Sequence, residues 1–194
     1  IAGTYNAKYP EFIANQIVAS IQMAEKRLNA GSWSFNELSI PSLINNRLVG
    51  TQGITDPSLK LMALKSGMQE GVHVFYGAHA TCLSGENKQM SRDYPGVFSD
   101  WVVNHTPLDF AVYSAGAVAS MGPETGPKQG FDRAQFMGEE MAKQVALIQQ
   151  FGFPYENQLN LSFFRIPLFL RQPMVKISEN WALRPWIFKW AFGH

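Results

Sequence analysis

Near the start of the chain, apolar residues recur at Ile13, Ile17, Ile21, Ala24 and Leu28, spacings that place them on one face of a helix. Pro10 at the first helical position and Glu11 in the first turn suit the helix dipole, and Gly31 ends the element. Trp33–Ile40 is short, rich in aromatic and β-favouring residues and closed by Pro41, which predicts a strand. Residues 42–57 have no period and carry Asn45, Asn46, Gly50, Gly53 and Pro57, the composition of a loop. Two strands follow, Ser58–Lys65 and Val72–Ala80, across a turn at Gly67–Gly71. In the second, Val72, Val74, Tyr76 and Ala78 alternate with His73, Phe75, Gly77 and His79. Both sets are largely apolar, which predicts a central strand covered on both sides.

Residues 81–96 read as a second loop, followed by a short helix over Val97–Asn104 and a buried strand over Leu108–Ala119. A Gly/Pro-rich stretch, Gly122–Gly130, leads into a long helix over Phe131–Phe151. Its stripe of Met137, Met141, Val145 and Ile148 belongs to the core. Strand-like pattern returns at Gln158–Ile166 and Pro173–Ile177. The tryptophan-rich tail WALRPWIFKWAFGH suits a buried crossing segment or a membrane or partner surface. Helices interleaved with apolar strands predict an α/β fold, a layered mixed sheet flanked by helices, with 1–194 as a single partial domain.

Composition narrows the function classes. Lys and Arg number 16 against 15 Asp and Glu, and only 16% of the 194 residues are charged. A chain so sparsely charged is neither a disordered polyelectrolyte nor an electrostatic nucleic-acid binder. Apolar residues at 46% are enough for a core, and the low charge implies that part of the surface is covered by something else. Cys82 is the sole cysteine, so no intrachain disulfide forms. The chain begins at Ile1, which is expected of a processed product or a fragment. Asn104-His105-Thr106 and Asn160-Leu161-Ser162 fit the glycosylation sequon.

Ligands in open α/β sheets gather at loops after the carboxyl ends of strands. Two such loops stand out, one beginning His79-Ala80-Thr81 and one running from Gly116 through Ser120 to Pro123. A histidine at a strand exit is placed to hold a metal or move a proton, or to hydrogen-bond loop backbone. His73 lies about 20 Å away at ~3.3 Å per residue, too far to share an ion with His79. His105 and His194 have no partner at ligand spacing, and no HxH, HExxH or CxxC occurs. A catalytic zinc takes three protein ligands plus water, so no complete metal site is encoded in this stretch. Ser120 sits in a small-residue turn that is not G-x-S-x-G, and Arg47 could clamp an oxyanion or simply face solvent.

Taken in order, Asn46-Arg47, His79-Ala80-Thr81, Ser91-Arg92-Asp93-Tyr94-Pro95-Gly96 and the turn ending in Pro123 resemble the neutral/alkaline (non-lysosomal) ceramidase family. The resemblance covers about residues 5–125 and is that of a distant relative. It implies a larger zinc amidase domain that cleaves the N-acyl bond of ceramide. His79 would be a zinc ligand and Arg47 a group steadying the oxyanion or substrate. Asn46 and Gly122 would line the substrate, and Ser120 would stand near the reacting centre. Aligned on Pro123, the family's Gly-Asp-Val-Ser becomes Ala119-Ser120-Met121-Gly122, so Gly122 occupies the serine position. The family's Thr-His-x-His segment would precede the first helix, and its Glu and Tyr ligands would follow this stretch.

The expectation is therefore a fragment of a ceramidase-like zinc hydrolase acting on a lipid amide. It would be extracytoplasmic or membrane-associated, and completed by remaining segments of the same precursor or a homo-oligomer. A degenerate member serving as a binding or envelope-associated structural protein is the alternative. A metal-free esterase using Ser120 is a third reading.

Overall fold

The computed structural model describes residues 6–50, 52–160 and 162–167, with the backbone of two further strands, Val175–Ser178 and Trp181–Leu183. His194 and most of the tryptophan-rich tail lie outside the described residues, as do the first two positions of Pro173–Ile177, whose remaining three are strand. The chain divides into a unit over Ile1–Leu159 and a smaller one over Asn160–His194. In the smaller unit β7 (Val175–Ser178) and β8 (Trp181–Leu183) pair antiparallel. The described part of Gln158–Ile166 holds no strand.

The larger unit opens with helix α1 (Lys8–Glu25) and continues through β1 (Ser32–Ser39), β2 (Ile44–Asn46), β3 (Ser58–Ser66) and β4 (Gln69–Tyr76). Helix α2 (Asp93–His105), β5 (Phe110–Ala115), β6 (Met121–Pro123) and α3 (Gly130–Phe151) complete it. The main sheet has the order β1-β3-β4-β5. Its first three strands are antiparallel neighbours, joined between β3 and β4 by a tight turn in which Gly67 takes φ +61°. β5 is parallel to β4, a pairing that requires a crossover, and α2 supplies it. The mixed α/β layering expected from the sequence is what the chain adopts.

Alternation along the strands decides where the core sits. Leu59, Leu61 and Ala63 of β3 and Val72, Val74 and Tyr76 of β4 point into the layer beneath α2 and α3. That layer is completed by Tyr94, Phe98 and Val102 of α2 and by Met137, Met141 and Val145 of α3, the predicted stripe. The helices approach closely at Gly138, where a Cβ would stand 2.6 Å from Val97 Cβ and 2.8 Å from the Tyr94 carbonyl oxygen.

The opposite sheet face departs from expectation. Phe35, Met62, His73 and Val112 align in one cross-strand row on that face. Within the row, Phe35 and Val112 keep 54% and 45% exposure, so among the described residues β4 is covered on one side only. β5 is correspondingly an edge strand, not a buried one, and is shorter than Leu108–Ala119. Helix α1 shows the predicted period, yet none of its residues is buried. Two further differences bear on the site. The region 42–57 contains the short strand β2, and α2 starts at Asp93, four residues before the expected Val97.

Candidate functional site

Two short strands draw the sequence-identified loops together. β2 and β6 pair antiparallel with Ile44 opposite Pro123, Asn45 opposite Gly122 and Asn46 opposite Met121. Just beyond the pair, the Arg47 amide donates to the Ser120 carbonyl at 2.9 Å. The His79 amide donates to the Met121 carbonyl at 3.2 Å. Arg47, His79, Ser120 and Gly122 are thus tied by backbone to one three-residue strand.

The faces of this ribbon divide the candidates. A Cβ on Gly122 would lie 3.5 Å from Arg47 Cδ and 3.8 Å from Asn45 Oδ1, so Asn45, Arg47 and Gly122 share one face. Asn46 is only 9% exposed. Its Oδ1 accepts from the amides of Leu48 and Val49 and its Nδ2 donates to the Ile54 carbonyl. That amide braces the loop carrying Arg47, whose own side chain is exposed and forms no ion pair among the described residues. Ser120 is half-buried in the turn leading into β6.

The ribbon is held from the far side as well. Asn45 Nδ2 donates to Glu124 at 2.8 Å, and the second carboxylate oxygen of Glu124 accepts the Gly126 amide at 2.9 Å. These bonds, the Gly126 amide first, hold the Glu124 carboxyl below its ordinary range. Arg133 reaches from α3 to donate to the Pro123 carbonyl and to Thr125.

His79 differs from the other described histidines in one respect. Nε2 of His73 meets Ser114 Oγ at 2.8 Å, and burial lowers the pKa of that ring. Nδ1 of His105 meets the Trp101 carbonyl at 2.9 Å, with the two rings stacked. Nδ1 of His79 is buried and, among the described residues, has no hydrogen-bond partner. Leaving a buried polar atom unmet costs about 1–3 kcal/mol, so such atoms are rare and call for an explanation. An unpaired imidazole nitrogen fits one position of a zinc site. Among the described residues, however, no three His, Cys, Asp or Glu side chains gather to hold an ion.

Sequence reasoning did not assign roles within Ser91–Gly96, though it singled the segment out. Asp93 opens α2 with φ +52°, a left-handed conformation that aspartate tolerates better than most residues. Its carboxylate accepts the amides of Tyr94, Cys82 and Leu83 at 2.7, 3.3 and 3.1 Å. Ser91 Oγ accepts the Asp93 amide, and Gly96 makes room for Arg92, whose Cβ would lie 2.5 Å from an added Cβ. Tyr94, fully buried, donates its hydroxyl to the Ala78 carbonyl, with Tyr113 Oη 2.6 Å away. Burial raises the pKa of both phenols, so they remain protonated donors. Cys82 is likewise buried, with its thiol pKa pushed up by desolvation, and is no nucleophile.

No protein-family model matches the sequence, and no curated protein matches it. Solved structures do. The neutral ceramidase from Pseudomonas aeruginosa superposes with a TM-score of 0.60 at 19% identity, over 73% of this chain and 26% of that one. A ceramidase complexed with C2 gives a TM-score of 0.53 at 15% identity, over 63% of this chain and 23% of the other. The superposed part of this chain thus shares the fold of about a quarter of each ceramidase chain.

Proposed function

We propose that this chain is the central part of the catalytic domain of a zinc-dependent hydrolase of the neutral ceramidase type, cleaving the N-acyl amide bond of ceramide or a related lipid amide. The observation that carries the reading is the orphaned Nδ1 of His79, at the strand exit where the resemblance puts a metal ligand. Zinc at that position supplies a Lewis acid for the acyl carbonyl. His79 provides one ligand, and the others belong to polypeptide outside the described residues. Arg47, with its forked donors unengaged by any described carboxylate, steadies the carbonyl oxygen as negative charge develops. Asn46 supports that arginine from beneath, while Ser120 and Gly122 line the reacting centre. The lipid substrate suits a location outside the cytoplasm or at a membrane surface. The open sheet face suits cover by further segments of the same precursor or by a second copy.

The test is hydrolysis of a fluorogenic N-acyl substrate by the full-length protein. Turnover that is abolished by a chelator and restored by zinc is the expected result. Turnover indifferent to chelator, and lost in Ser120→Ala, would replace this reading by a serine esterase.

Gly122 favours a second reading, in which the serine position has lost its hydroxyl and the protein serves as a binding or envelope-associated structural element. Absence of any N-acyl turnover in zinc-loaded full-length protein would select it.

A further inference from the structure

We propose that Asp93 is a positioning residue whose carboxylate latches the 79–83 loop to the start of α2, so that the His79 ring is presented with Nδ1 free. The inference rests on the reading of His79 as a metal ligand and adds to it the group that holds the ligand in place.

A ligand imidazole is ordinarily oriented by a hydrogen bond to its second ring nitrogen. Among the described residues no side chain hydrogen-bonds the His79 ring, so its orientation falls to the backbone that carries it. That backbone is held on both sides. The His79 amide is fixed to Met121, and the His79 carbonyl accepts the Thr81 amide at 2.7 Å. One residue earlier, the Ala78 carbonyl receives the Tyr94 hydroxyl. Three and four residues later, the amides of Cys82 and Leu83 end on the two oxygens of Asp93. Without that carboxylate the distal end of the loop has no other hydrogen bond to α2 among the described residues, and the amides of Cys82 and Leu83 lose their acceptor.

The left-handed backbone of Asp93 does not account for this arrangement by itself. Glycine or asparagine would meet the conformational need. Only a carboxylate offers acceptor oxygens on both sides, here filled by three amides with no donor of its own to clash. Tyr94, next in sequence, reaches the other end of the loop, so one turn of α2 grips both flanks of His79.

The experiment uses full-length protein and the variants Asp93→Ala, Asp93→Asn and His79→Ala. Hydrogen exchange followed by mass spectrometry reads peptides across 79–84 in metal-free protein, and competition with a chromophoric chelator reads zinc affinity. Asp93→Ala is expected to speed exchange across 79–84 at least ~10-fold and to weaken zinc binding about 10- to 100-fold, the range seen when partners of metal ligands are removed. Asp93→Asn, which keeps one acceptor oxygen and tolerates the left-handed backbone, should recover part of both losses. It also serves if the alanine variant does not fold. Unchanged exchange across 79–84, or unchanged zinc affinity despite faster exchange, overturns the proposal. If His79→Ala binds zinc like the parent, the metal reading fails, and the exchange result alone decides whether Asp93 holds the loop.

Discussion

Gly138→Ala sets two effects of known sign against each other. Within α3, alanine is favoured over glycine by about 1 kcal/mol because the chain loses less freedom on forming a helix. The new methyl would nevertheless stand 2.6 Å from Val97 Cβ, 2.7 Å from Val97 Cγ1 and 2.8 Å from the Tyr94 carbonyl oxygen. Two of those atoms are set by the α2 backbone, so no rotamer change relieves the overlap. The helices must part by roughly 1 Å, and overpacking of this kind costs about 1–3 kcal/mol. The clash wins, leaving a net destabilisation of about 1 kcal/mol, or ~2–4 °C in Tm for a chain of this size. Because Tyr94 also donates to Ala78, exchange across 78–83 should rise as well. Urea unfolding followed by circular dichroism measures the difference. Gly85→Ala is the control, since a Cβ there meets nothing within 4 Å. A Gly138→Ala protein more stable than the parent would refute the close helix contact and, with it, the placement of α2 over the sheet.

Further consequences concern the ribbon, the acid limb and the open face. Gly122→Ser should fold normally, with stability within ~1 kcal/mol of the parent, because its Cβ makes only ordinary contact with Arg47; thermal denaturation checks this. Should the parent prove inactive, gain of N-acyl hydrolysis in the same variant would identify the missing hydroxyl as the cause. Glu124 is held below its ordinary pKa, so its contribution to stability is present above the unfolded value and is lost as pH falls through the folded one. Urea midpoints from pH 6 down to pH 3 should therefore fall more steeply for the parent than for Glu124→Gln. The apolar row on the uncovered sheet face predicts self-association of the 194-residue chain. Sedimentation should show that Phe35→Lys with Val112→Lys reverses it.

The strands β1, β3 and β4, the helix over Phe131–Phe151 and the loops bearing Arg47 and His79 are all legible in the sequence, because each depends on local composition, a local period or a turn residue. What eluded it depends on contacts across the fold. His73, Phe75 and Gly77 look like a covered face, since a covered sheet and an exposed apolar one have the same period; only burial separates them. The period of α1 is equally sound, but a helix face says nothing of what it meets. β2 and β6 are three residues each, too short for any pattern, and their pairing joins positions nearly eighty residues apart. Asp93 sat in a recognised segment, but its task appears only when the loop returns eleven residues of chain to its oxygens. At His79 the strand exit was evident from sequence; the unmet nitrogen was not.

The central claim is that this nitrogen belongs to a metal. The direct measurement is zinc per chain in full-length protein, by elemental analysis after dialysis, for the parent and for His79→Ala. Bound zinc is expected in the parent and its loss in the variant, with exchange across α3 unchanged. Equal zinc content and equal N-acyl turnover in both proteins would contradict it.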